Sequence, residues 1–146
     1  MTGVQTCALP ILKNLFGIVP GAVYGWPKNP LHWQGIHRSI LDLNATIPGR
    51  RFAIVDGIVG MEGNGPIQGR ARRAGVLVLG EHPVAVDATA ARIMQLELLR
   101  IPHLRDGARF LGHVEPEATK QIGEPLERHL HDFAVLEPFR ALKEAV

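Results

Sequence analysis

Cysteine is almost absent: the 146 residues hold one, Cys7. It lies among the first eleven residues, so residues 12–146 have none. That excludes disulfides, zinc–thiolate centres and cysteine-ligated iron–sulfur clusters from this stretch. Aromatic residues are scarce at 5%, and both tryptophans, Trp26 and Trp33, fall in one short stretch. No excess of one charge exists either. Sixteen Lys and Arg against fourteen Asp and Glu leave +2, too little for the phosphate neutralisation that nucleic-acid binding needs. No apolar run approaches the roughly 20 residues that span a bilayer. What remains is a chain 46% hydrophobic and 21% charged, rich in glycine (16) and proline (11). That composition suits one globular domain with a real core.

The most informative stretch is Ile54–Pro66, I-V-D-G-I-V-G-M-E-G-N-G-P. A short apolar run, Phe52–Val55, predicts a buried strand. From Asp56 to Pro66 come two carboxylates and four glycines. Glycine at that density marks backbone in special conformations, or backbone that something approaches closely. An acidic glycine-rich loop at the end of a buried strand is where open α/β sheets place their chemistry. Asp56 and Glu62 are thus candidates to bind a divalent cation or to act as acid and base. Asp56 as a turn cap and Asn64-Gly65 as an ordinary tight turn form the plain structural alternative. Lys28 and His32, from the proline-rich aromatic stretch Tyr24–Trp33, are the groups that would hold or protonate a substrate. Gly63, Asn64, Gly65 and Arg70 could cradle an anion, with Arg72 and Arg73 beside them. No Gly-Lys-Ser/Thr ending follows, so this is not a phosphate loop of the usual kind.

The same stretch carries a family resemblance. Asp56–Pro66, with K-N-L-F-G at Lys13–Gly17, P-G at Pro20–Gly21 and P-V-A-V-D-A at Pro83–Ala88, resembles the domain of unknown function 362 family (DUF 362). The blocks run in order from Lys13 to about Gly123. The resemblance implies a redox- or metal-linked setting, because some members carry appended ferredoxin-like iron–sulfur modules. It adds Lys13 and Asn14 as ligand-binding candidates. It also adds Asp87 as a third metal ligand beside Asp56 and Glu62, although an acid early in a helix is favoured by the helix dipole anyway.

Elsewhere, Ile36, Ile40, Leu43 and Ile47 predict an amphipathic helix over 34–47, with His37 and Asp42 facing solvent. Val76–Leu79 predicts a second strand, Val84–Leu99 a helix opened by Pro83, and His103–Leu111 a short helix. Gln121–Gly123 predicts a short strand and Glu137–Val146 a terminal helix. His129 and His131, two apart, could share one face. The expected fold is α/β: a layered mixed or parallel sheet with flanking helices, the 76–79 strand and its helix forming half of a βαβ unit.

The first eleven residues, M-T-G-V-Q-T-C-A-L-P-I, resemble the conceptual translation of a sequencing adapter. On that reading they stand outside the fold, and the domain of 12–146 is incomplete. Its first partner is then the missing N-terminal half of the same protein. An unpaired strand edge and an uncovered apolar face should be exposed. Three functions stay open: an enzyme using the acidic loop, a binding or interaction module for an anionic ligand or partner domain, and a purely structural connector.

Overall fold

The computed structural model describes residues 9–25, 29–65 and 67–143. Helices and a two-stranded sheet make an α/β fold. After a 3-10 turn at Lys13–Ile18 come two short helices, α1 (Gly21–Tyr24) and α2 (Asn29–Trp33), and then α3 (Ile36–Thr46). Strands β1 (Ala53–Asn64) and β2 (Gln68–Gly80) follow, then α4 (Pro83–Ile93) and α5 (Pro102–Gly107). From Pro116 onward the described chain is extended segments joined by short 3-10 turns, with no strand at 121–123 and a 3-10 turn at Glu137–Lys143.

Helix α4 is the spine. Proline at its first position costs no hydrogen bond. Val84, Ala88 and Ala91 are fully buried, and so are most of their neighbours along the helix. A helix apolar all round belongs in a core, and its small alanines allow close packing. Ile40 of α3, Leu104 of α5, Leu96 and Ile101 close around it. Leu9 and Leu12 join this core. Leu9 is thus buried with the core, while Pro10 is exposed and Ile11 half-buried.

The helix expected to run to Leu99 ends at Ile93. The reason is a Schellman-type cap: Gln95 N–H donates to Arg92 O (2.8 Å) and Leu96 N–H to Ala91 O (2.9 Å). Gln95 takes the left-handed conformation (φ 54°) that glycine usually fills there. Burial of Leu96 then anchors the reversal.

The sheet corrects the sequence reading most. The glycine-rich segment is not a loop between two short buried strands. It is the body of one long antiparallel hairpin, paired from Ala53↔Gly80 to Asn64↔Gln68. The parallel βαβ arrangement is absent among the described residues. One irregularity interrupts the ladder: between Gly57↔Val76 and Val59↔Arg73, one residue of β1 opposes two of β2. Gly75, at φ +70°, is one of those two, which is the left-handed glycine that such a bulge uses. Gly60 has a different role. A Cβ there would lie 2.9 Å from the Phe133 ring, so glycine lets the C-terminal segment cross the hairpin.

Candidate functional site

The expected carboxylate centre does not assemble. Asp56 and Glu62 lie six residues apart on one extended strand, so the backbone separates them by roughly 20 Å. Asp56 is exposed, and its Oδ1 accepts from the Ile58 N–H at 3.0 Å. It shares the outer face of the hairpin with Ile54 and Ile58, opposite Leu77 and beside the Ile54↔Leu79 pair. Glu62 is turned inward, with its side chain only 10% exposed. Its Oε2 accepts from Ala134 N–H at 3.0 Å, and Gly63 N–H donates to Ala134 O at 3.0 Å. Glu62 is thus a clamp for the C-terminal segment. Arg70 approaches it at 3.6 Å from an exposed position, which is a weak pair.

Asp87 lies elsewhere. It is fully buried on α4, and its two oxygens accept from Ile11 N–H (2.9 Å) and Leu12 N–H (2.8 Å). Burial pushes its carboxyl up to about 6, against the two N–H bonds that favour the charged form. Its work is to satisfy two backbone donors where the chain enters the Lys13–Ile18 turn. Asp56, Glu62 and Asp87 therefore offer no common ligand sphere. Among the described residues no group of three or more His, Cys, Asp or Glu is placed to hold a metal.

The remaining candidates are dispersed. Lys28 lies outside the described residues. Lys13 and Asn14 sit on the turn that packs against α3, away from the acidic strand. His32 meets Phe16 edge to face, with ring centroids 5.5 Å apart. Trp33 is 78% exposed, so it covers no core. Gly63, Asn64 and Gly65 form the distal end of the hairpin, where the Asn64 amide donates to Gln68 Oε1. His131 is engaged with Ala74 O at 3.0 Å, and so stands on the hairpin rather than beside a second metal ligand.

A different pair of residues comes together. His37, expected to face solvent, meets His103 edge to edge, with centroids 5.1 Å apart and ring planes within 14° of parallel. Their Nδ1 atoms are 2.9 Å apart. His103 is fully buried, and burial followed by the neighbouring His37 lowers its pKa to about 4. Burial also lowers His37, opposed by Asp106. Beside them α3, the Leu98–Arg100 turn, α5 and the Glu137–Lys143 turn line an open groove of about 570 Å³, its walls including His37, Arg100, Arg105 and Phe139. Sequence periodicity gives no sign of this pair, because it depends on how α3 crosses α5. The hint available was Pro102-His103-Leu104, a histidine wedged into an apolar helix start.

Comparison with known proteins agrees with the sequence blocks. The model of the family described as "Domain of unknown function (DUF362)" matches residues 3–92, more than half of the chain. Over 122 residues the chain is 31% identical to the "Thylakoid-associated protein sll1697" of Synechocystis sp.. That alignment covers 80% of this chain but 37% of the relative, so the chain spans little more than a third of the longer protein. No solved structure matches.

Proposed function

Given that the chain belongs to the DUF362 family, an uncharacterised group, we propose that it serves as an interaction module whose β1–β2 hairpin docks onto further strands of a full-length family protein. One observation carries this reading. The outer face of the hairpin is apolar and uncovered: Ile54 is 61% exposed, Leu77 58% and Leu79 53%. A two-stranded hairpin of this length is marginal by itself, and a third strand or a packed layer normally supports it. Among the described residues no third strand joins. The covering surface is assigned to the family protein's remainder because the alignment covers only 37% of the Synechocystis relative. Asp56, alone among apolar neighbours on that face, would select a cationic side chain of the partner and set the register. The acid–base and metal readings have weaker support, since their carboxylates do not converge.

Hydrogen exchange tests the proposal. In a full-length family protein, the β1–β2 amides should exchange far more slowly than in the 146-residue chain. Equal exchange in both would overturn it. The relative's name raises a membrane surface as the rival occupant. If the isolated chain co-floats with anionic vesicles and Ile54→Lys abolishes this, the rival stands instead. No helix among the described residues is long and apolar enough to cross a membrane.

A further inference from the structure

The hairpin shares its exposed apolar character with a second part of the molecule. Helix α1 reads Gly-Ala-Val-Tyr, and none of its residues is buried. Val23 is 75% exposed, and Tyr24 beside it is exposed too. Ile18, three residues before the helix, is more than half exposed, and so is Trp33 at the end of α2. Helix α2 meets both α1 and α3, so these side chains share one corner of the fold. Pro20 before α1 and Gly25 (φ 73°) after it hold that helix to a single turn.

The charge around this corner is one-sided. No Asp or Glu occurs from Leu12 to Leu41, where Lys13, Lys28 and Arg38 stand. All fourteen carboxylates follow from Asp42 onward, and they outnumber the thirteen Lys and Arg of that stretch. The small net charge therefore conceals a basic end, and such asymmetry within a chain points to an anionic surface. Arg38 is exposed in the first turn of α3, and Lys13 is half-exposed on the turn that packs against α3.

The residue types select among anionic surfaces. Three cations are too few to neutralise a nucleic-acid backbone tightly. Trp and Tyr carry a polar edge that needs a partner in a dry protein interior. A bilayer's headgroup layer takes the ring and leaves that edge wet, which is why both residues gather there. Ile54, Leu77 and Leu79 on the hairpin lack such an edge and suit a protein cover instead. We infer that the corner of Ile18, Val23, Tyr24 and Trp33 docks onto an anionic phospholipid surface, with Lys13 and Arg38 facing the lipid phosphates. This stands apart from the hairpin reading, and either can fail without the other.

Co-flotation of the 146-residue chain with vesicles of equimolar phosphatidylcholine and phosphatidylglycerol tests it, with phosphatidylcholine alone as the neutral comparison. Binding to the anionic vesicles is expected, weakened by salt and much lower on the neutral ones. Lys13→Gln and Arg38→Gln should each lower the partition coefficient about fivefold. Trp33→Ser should lower it about tenfold while keeping the far-ultraviolet dichroism, since Trp33 supports no core. Ile54→Gln with Leu79→Gln should leave it unchanged. In a Trp26→Phe chain, emission from Trp33 should shift to the blue on anionic vesicles. Absence of co-flotation, or equal binding to both vesicles, would overturn the inference. So would binding that Trp33→Ser leaves unchanged; if the hairpin pair of substitutions removes that binding, the lipid sits on the hairpin. Trp33 emission that is already blue without lipid and unmoved by vesicles would overturn it too, because a protein surface then covers the corner.

Discussion

At the residue scale, two buried titratable groups act on stability with opposite signs. His103 has its pKa lowered to about 4, first by burial and then by His37. Once pH falls below about 6.5, the unfolded chain takes up a proton that the folded chain refuses until near 4. Stability is lost across that window. Asp87 is the reverse: burial raises it to about 6, so the folded chain takes its proton first and gains stability as pH falls from 6 towards 4. Each shift is about two units, a few kcal/mol at most. The intact chain should therefore change little in stability between pH 7 and pH 5. Replacing His103 by Leu removes one side of this balance. Urea midpoints for that variant should rise on acidification, where those of the intact chain stay level. A variant whose urea midpoint follows the same pH course as that of the intact chain would show that His103 titrates normally. Asp87 was legible as a notable residue from its V-A-V-D-A block, but not its task, since its partners are backbone groups 75 and 76 positions away. Nothing local distinguishes a buried acceptor from a metal ligand.

At the element scale, the hairpin shows why glycine misled. Two apolar runs, 52–55 and 76–79, were legible as strands. The residues between them carry glycine and charge, which usually interrupt strands. Here the glycines serve the pairing instead, Gly75 in the bulge and Gly60 beneath Phe133. Gly75→Val should cost about 1–2 kcal/mol through its positive φ, because a β-branched residue is the worst tenant there. Thermal melting measures it; an unchanged midpoint would mean the bulge is not held. Glu62 makes a second prediction. Glu62→Ala removes the acceptor for Ala134 N–H and should cost about 1–2 kcal/mol. Exchange should quicken selectively at Ala134 and Gly63, whereas a mere surface carboxylate would leave both unaffected. By contrast, the periodicity of Ile36, Ile40 and Leu43 gave α3 nearly to the residue, because an amphipathic helix on a core writes its contacts into its own spacing.

At the scale of the whole molecule, the α/β class was readable before the fold was. The antiparallel topology was not, because strand direction depends on what the chain between the strands does. The consequence is physical. Ile54 and Leu79 are directly paired and more than half exposed, with Leu77 beside them. Burying such a face recovers about 25 cal/mol per Å², so a few hundred Å² is worth several kcal/mol, enough to drive weak association when no other cover is present. The isolated 146-residue chain should therefore sediment as a concentration-dependent mixture of monomer and larger species. Ile54→Lys with Leu79→Lys should make it monomeric without changing its far-ultraviolet dichroism, since neither side chain supports the core. The same double change in a full-length family protein should do the opposite, destabilising the assembly by leaving two charges against an apolar cover. Opposite signs in the two contexts would mark the face as an interior one in the larger protein. If the double variant is equally tolerated in both, the hairpin face is a solvent surface and the docking role falls.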